Sequence, residues 1–221
     1  MLDRSPPGAE HPGVTDDTNE SLLVEQVRAG DATALANLFT HYRPRLRGLV
    51  RIRMHPRLHG RLDASDILQE AWLDVTRRYE QWVETQDMPI FLWIRFLTAQ
   101  KLDEMHRRHL GAQRRDAQRE VRLNAGPEAS SVSIAQHLAA SITSPSLGAA
   151  RDELRERLVA ALQGMDEIDR EVLTLRHFEE LTNNEVATVL GITKAGASNR
   201  YVRALSRLRT ILDAGAAEEG A

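Results

Sequence analysis

The chain has 221 residues, with 29 Lys and Arg against 32 Asp and Glu for a net charge of −3, and it contains no cysteine. The missing thiols exclude a disulfide framework, thiolate zinc and iron–sulfur sites, and a cysteine nucleophile in this sequence. The longest apolar stretch, residues 89–94, falls far short of the roughly 20 residues of a membrane helix, and residues 1–8 lack the features of a secretory signal, so we expect a cytoplasmic protein.

The N-terminal half has the pattern of a helical bundle. Residues 1–20 contain three prolines and few apolar side chains, which predicts a disordered tail. Over residues 21–110 apolar side chains recur at spacings of three and four, the period of amphipathic helices. Asp31 stands at an N-cap position, and Pro89 stands in the first turn of a later helix. The pattern predicts a compact four-helix bundle over residues 21–110.

The remainder of the chain predicts a linker and a second helical domain. Residues 111–150 are rich in charge, Ser, Gly and Pro, which indicates a flexible linker with one short helix at residues 134–140. Helical periodicity resumes at residues 154–162, 167–178, 183–190 and 193–212, without a strand pattern, and residues 214–221 form a tail. The expected fold class is all-α, with two small helical domains, residues 21–110 and 151–213.

The most specific local pattern lies in residues 183–204. A short apolar helix ends at Gly191, which permits the left-handed backbone of a tight turn, and Thr193 caps the next helix. This is the layout of a helix-turn-helix, whose second helix lies in the major groove. Candidate contacts to bases and phosphates are Lys194, Ser198, Asn199, Arg200 and Arg203. The alternative is a basic amphipathic helix that packs on a core while its charges are solvated.

Two basic clusters mark the predicted N-terminal bundle. A run without an intervening acid comprises Arg43, Arg45, Arg47, Arg51, Arg53, Arg57 and Arg61. The fourth predicted helix carries Trp93, Arg95, Gln100, Lys101, Arg107 and Arg108. Basic clusters bind phosphates through counterion release, and aromatic faces beside cations suit single-stranded bases. Core packing is the competing interpretation for each aromatic side chain, and the favoured one for Phe91 and Trp72.

The third predicted helix, residues 63–82, is opposite in sign. Asp63, Asp66, Gln69 and Glu70 fall at spacings of three and four on one face. We interpret this acidic face as a protein-docking surface; a merely solvated face is one alternative. A metal site completed by His106 or His109 is another, but the Glu-x-x-His pairs of helix-bundle metal sites are missing, so we predict no metal and no cofactor.

Taken together, these segments resemble the bacterial sigma factors of the extracytoplasmic-function (ECF) subgroup, over nearly everything from Ser21 to Leu212. Residues 63–73 look like the core-polymerase-binding helix of that family. Residues 89–108 are similar to its promoter-melting and −10-reading helix, and residues 169–205 to its −35-binding domain. The sequence departs from the family at Gln100 and Glu104, where Asn and Asp are common, and at Gly196 and Ala197, where a Thr-Val pair is frequent.

The resemblance implies a transcription initiation factor without catalysis of its own, which binds core RNA polymerase and directs it to promoters. By that resemblance, the acidic face docks on a coiled coil of the largest polymerase subunit. The residues from Trp93 to Arg108 named above hold −10 DNA as it melts, and those from Lys194 to Arg203 bind the −35 duplex. An anti-sigma factor is an open further partner. Two rivals stay open: a ligand-sensing regulator with the same helix-turn-helix, and a metal-dependent helical enzyme.

Overall fold

The computed structural model describes residues 14–58, 60–110, 127–142 and 148–218. Its α-helices are α1 (Val14–Arg28), α2 (Ala32–Arg53), α3 (Ala64–Thr85), α4 (Ile90–Leu110), α5 (Ser131–Ile142), α6 (Gly148–Gln163), α7 (Glu167–His177), α8 (Asn183–Leu190) and α9 (Lys194–Glu218). A 3-10 turn, Pro56–Leu58, follows α2. These ranges contain no strand, which confirms the predicted all-α fold class. None of the helices in them is long and apolar enough to cross a membrane.

Helices α1 to α4 form the predicted N-terminal bundle, but α1 begins earlier than expected. It starts at Val14, so residues 14–20 of the predicted disordered tail are helical. Glu20 explains part of this extension, because its carboxylate accepts a hydrogen bond of 2.7 Å from the Tyr42 hydroxyl on α2. The rest of the predicted tail, residues 1–13, lies outside the described ranges.

Polar caps set the helix boundaries that position the candidate interfaces. The Asp31 carboxylate accepts from the backbone N–H of Thr33 and Ala34 at the start of α2, as predicted. Thr182 and Glu185 form a reciprocal capping box at the start of α8. Gly191 ends α8 with φ of 63°, the left-handed conformation that the turn requires. The predicted helix-turn-helix geometry is therefore present.

A second apolar cluster lies mostly in the C-terminal half of the molecule, α5 to α9, and Ile52 of α2 joins it. Side chains of α5, α6, α7 and α9 surround Ile134, Leu158, Leu162 and Leu173, all of which are buried. The short helix predicted at residues 134–140 lies within α5. Because α5 packs on α6 and also touches α2, part of the predicted linker belongs to the folded core. Residues 111–126 and 143–147 of that linker are not among those described.

The two helical halves also pack against each other, whereas the sequence predicted two small domains joined by a flexible linker. Val172, Leu175 and Leu181 join the same buried apolar cluster as the side chains of α1 to α4. Gly48 on α2 lies so close to the loop after α7 that a Cβ at this position would stand 2.4 Å from the Phe178 carbonyl oxygen. Only a glycine allows the two backbones to approach this closely.

Candidate polymerase and nucleic-acid interfaces

The acidic face lies on the surface at the start of α3. Asp63, Asp66, Gln69 and Glu70 are all exposed. Asp66 also has a structural role, because its carboxylate accepts the Asp63 backbone N–H at 3.0 Å and so fixes the first turn. The structure brings the four predicted side chains onto one continuous surface, available to a partner protein.

The structure adds Leu73 to this acidic face. Its side chain is 45% exposed, and it lies two turns beyond Asp66 on the same side of α3. Leu73 ends the segment that resembles the polymerase-binding helix, and it falls outside the apolar stripe through Ile67, Ala71 and Val75. Leu73 therefore adds one exposed apolar group beside the carboxylates of the acidic face.

Three of the six residues predicted to contact −10 DNA are inside the protein. Trp93 is 8% exposed and packs near Trp82, with ring centroids 5.8 Å apart. Arg95 is 1% exposed, and its Nε donates to Glu179 at 2.8 Å. The sequence suggested contacts with single-stranded bases because aromatic rings lie close to cations along this helix. Burial and pairing instead place both side chains out of reach of DNA in this conformation.

Lys101 is the third of these inward-facing residues. Its Nζ lies 2.8 Å from a carboxylate oxygen of Asp74 and 2.8 Å from one of Glu104. Burial alone would lower the pKa of Lys101, but the two carboxylates raise it above its usual value. Its charge is therefore offset within the bundle. Gln100, Arg107 and Arg108 are exposed, so half of the predicted set is available to a nucleic acid.

The arginine run begins on α2 and continues past its end, and six of its seven members divide into two groups, while Arg47 is half-buried. Arg43, Arg51, Arg57 and Arg61 are exposed. Arg53 is buried, and Arg45 stacks its guanidinium on the Phe91 ring at 3.5 Å while donating to Glu185. The inward group contacts the C-terminal half, and only the outward group forms a basic surface.

The second helix of the helix-turn-helix, α9, carries the residues predicted to bind −35 DNA, and two of them are held by an ion pair. Lys194 and Asn199 are exposed and Ser198 is half-buried. Arg200 and Arg203 both donate to Asp169 on α7, at 2.8 Å in each case. Burial favours the neutral form of Asp169, yet the bonds from both arginines hold its pKa below the usual range. Asp169 thus fixes the direction of two cations at the surface of α9.

His106 on α4 is a half-buried base near the 3-10 turn. Its Nε2 accepts the backbone N–H of His55 at 3.2 Å. Burial, assisted by His55, lowers the pKa of His106 to about 4 despite the nearby Asp103. Among the described residues, no group of three or more His, Asp and Glu side chains is placed to hold a metal ion.

We expect stability to fall as His106 is forced to protonate. The unfolded state binds this proton near pH 6.5 and the folded state only near pH 4, so stability is complete above 6.5 and declines between these values. His106 makes up to about 3 kcal/mol of the free energy of unfolding dependent on pH. Urea unfolding at several pH values should show that His106→Gln removes it, whereas His109→Gln at an exposed position does not. A His106 that titrates near 6.5 by NMR would contradict this.

Comparison with known proteins identifies the relatives of the chain. A family model described as ECF sigma factor matches residues 17–213. The ECF RNA polymerase sigma factor SigK of Mycobacterium ulcerans is 28% identical over 207 residues, covering 92% of this chain and 97% of that protein. The RNA polymerase sigma-H factor of Pseudomonas aeruginosa is 28% identical over 185 residues, covering 84% and 89%. A solved structure of CnrH in complex with the cytosolic domain of CnrY is 20% identical, with a TM-score of 0.49 over 89% of this chain and 98% of that one.

Proposed function

Since the chain belongs to the ECF sigma factor family, whose members are transcription initiation factors that act with RNA polymerase, we propose that it directs core polymerase to promoters through −35 and −10 elements and assists their melting. The observation that carries this proposal is the distribution of charge on exposed helices. An acidic face lies on α3, and exposed cations lie on α4 and α9. The acidic face suits a basic protein partner, and the two groups of cations suit two separate stretches of DNA.

The acidic face is the proposed polymerase-docking surface. Its carboxylates suit a basic coiled coil, such as the one that the family resemblance places in the largest polymerase subunit. Leu73 supplies an apolar contact beside Asp66 and Glu70. Charge complementarity speeds encounter and selects the partner, while the apolar contact contributes to affinity.

The helix-turn-helix is the proposed −35 reader. Lys194 and Asn199 lie exposed in the first turns of α9, where a recognition helix reaches base edges. Arg200 and Arg203 are held by Asp169, so their remaining N–H groups can bind phosphates in a fixed direction. We expect these two arginines to fix the position of the −35 duplex relative to α9.

The fourth helix is the proposed −10 surface. Gln100, Arg107 and Arg108 are exposed on it. Trp93, Arg95 and Lys101 join this set in our proposal only after a rearrangement that exposes them. In this scheme the factor supplies no catalysis of its own. Its proposed partners, the polymerase and the DNA template, place it in the cytoplasm.

Run-off transcription with core polymerase on fragments of a genomic library tests the function. The proposal expects new start sites that share two upstream elements and that need both the factor and the polymerase. A protein that protects duplex DNA by itself and gives no polymerase-dependent transcripts is instead an ordinary helix-turn-helix regulator. That outcome would remove the initiation role.

Arg200→Ala is expected to weaken binding of the full chain to its −35 duplex. Loss of one phosphate contact should reduce the slope of log affinity against log salt by about 1. Arg209→Ala is the matched control, because Arg209 lies on the same helix with its side chain 84% exposed, and among the described residues it pairs only with Asp213. Fluorescence anisotropy over a salt series measures both. If Arg200→Ala leaves affinity and slope unchanged, Arg200 does not belong to the interface.

A further inference from the structure

The most deeply buried acid among the described residues joins the two halves of the molecule. Glu179 lies in the loop between α7 and α8 and is 1% exposed. Its Oε1 accepts from Arg53 Nε at 2.6 Å, and its Oε2 accepts from Arg95 Nε at 2.8 Å. Both arginines belong to the N-terminal half, on α2 and α4. One carboxylate therefore bridges two guanidinium groups across the contact between the halves.

The other partners of Arg53 also come from the C-terminal half. Arg53 donates to the Glu171 carboxylate on α7 and to the Pro127 carbonyl oxygen at 2.8 Å. Separation of the halves would remove all three of these acceptors from Arg53 and would expose its guanidinium to water. The N-terminal half then carries two adjacent arginines, Arg53 and Arg95, that were positioned by an anion.

The chemistry of this anion resembles that of nucleic acid. Burial alone would raise the pKa of Glu179, but the charges of Arg53 and Arg95 hold it below its usual value. Glu179 is therefore an anion with two oxygens, each bound by one guanidinium. A DNA phosphodiester also presents one negative charge on two free oxygens, and arginine is the side chain best suited to bind it.

We propose that Glu179 occupies a phosphate-binding site formed by Arg53 and Arg95, so that it closes the free protein and is displaced by a backbone phosphate of single-stranded promoter DNA. The identity of the DNA rests on the proposed function. Arg95 lies on α4 about 18 Å from the exposed Arg107, at 1.5 Å per residue. The two residues also stand about 120° apart around the helix, so a strand that reaches both has to cross from one side of α4 to another.

A second contact between the halves has the same polarity. Arg45 on α2 donates to Glu185 on α8 at 3.1 Å. Together with the pairs made by Arg53 and Arg95, this contact places carboxylates of the C-terminal half on arginines of the N-terminal half in every case. The desolvation cost of buried ion pairs can equal or exceed their attraction, so these pairs contribute little to keeping the halves together. Apolar side chains such as Val172 and Leu175 also cross the contact, and opening exposes them as well.

Opening can be measured in the full chain by fluorescence transfer. The chain has no cysteine, so Gln81→Cys and Ser206→Cys at exposed positions place dyes on α3 and α9 alone. Glu179→Gln removes the bridging charge and should reduce transfer. Glu180→Gln, an identical change at the adjacent exposed residue, should leave it at the wild-type value.

Gly48→Ala provides an opening variant that keeps every charge. Its Cβ would collide with the Phe178 carbonyl, whereas a Cβ at Gly60 meets nothing within 4 Å, so Gly60→Ala is the control. If Glu179→Gln does not fold, Gly48→Ala carries the test. Wild-type transfer in the folded opening variants would overturn the closing role of Glu179.

Affinity for a fluorescein-labelled oligothymidine tests the phosphate site. Both opening variants should bind it about ten-fold more tightly than the wild type, which is worth about 1.4 kcal/mol. Adding Arg53→Gln or Arg95→Gln to Gly48→Ala should reverse most of that gain and reduce the salt slope by about 0.7. Opening without a gain in affinity, or a gain that does not depend on these arginines, would overturn the site.

These measurements need no polymerase and are independent of the run-off test. If the wild type directs transcription but the oligothymidine results fail, only the phosphate site is wrong. If the wild type directs no polymerase-dependent transcription, the proposed function fails and promoter DNA is rejected as the ligand of this site.

Discussion

Replacing Asp66 and Glu70 together with arginine is expected to abolish association of the full chain with core RNA polymerase. Both carboxylates are exposed and lie four residues apart on one face of α3. The double substitution changes two negative charges into two positive ones opposite the proposed basic partner. Like charges placed together across an interface cost several kcal/mol, enough to lower affinity by more than a hundred-fold. Size-exclusion chromatography and anisotropy with core polymerase measure the effect.

The same helix offers a matched control for this charge reversal. Glu80 and Glu84 are exposed, also lie four residues apart, and stand near the other end of α3. Glu80→Arg with Glu84→Arg makes the identical change in net charge and should leave association intact. Unimpaired binding by the Asp66 and Glu70 variant would remove the acidic face from the polymerase contact.

A structural role of Asp66 has to be separated from its docking role. The Asp66 carboxylate accepts the Asp63 N–H, so its loss also weakens the start of α3, by about 1 kcal/mol. Asp66→Asn retains an acceptor and removes the charge. This variant should bind polymerase more weakly while its urea midpoint stays close to wild type.

Leu73→Ala should also weaken polymerase binding relative to the wild type. It should not unfold the bundle, because Leu73 is exposed.

Local sequence features predicted most of the helices correctly, for identifiable physical reasons. Asp31, Gly191 and Thr193 act on neighbouring backbone groups, so their effects depend only on residues a few positions away. Apolar periodicity reports which side of a helix is covered. These features sufficed for the all-α fold, for the helix-turn-helix and for the exposed acidic face.

The same features could not predict what covers each helix. Arg95 is buried by Glu179, which lies 84 positions further along the chain, and no local pattern marks that pair. Arg53 stands between the exposed Arg51 and Arg57 and has the same local appearance, yet it is buried. The absence of Cβ at Gly48 matters only because the Phe178 carbonyl packs against it. The position of the C-terminal half on the bundle decides which cations are free.

Trp93→Ala is expected to lower the free energy of unfolding by about 3–5 kcal/mol, as for other buried tryptophans. Trp93 is 8% exposed and packs beside Trp82 in the core of the N-terminal half. Trp93→Phe retains most of the apolar contact and should cost less than half as much. Urea denaturation followed by circular dichroism measures both. A Trp93→Ala chain as stable as the wild type would show that the indole is not part of the core.

The proposed function gives Trp93 a second role, which the conservative variant can separate from packing. If Trp93 also helps to open the promoter, Trp93→Phe should reduce run-off transcription from a duplex template and not from one with a pre-melted −10 region. Equal activity on both templates, with normal stability, would restrict Trp93 to the core. Reduced activity on the duplex alone would mean that the side chain leaves the core during initiation, since 8% exposure leaves no surface for a base to stack on. Melting of the promoter would then be coupled to a rearrangement around α4.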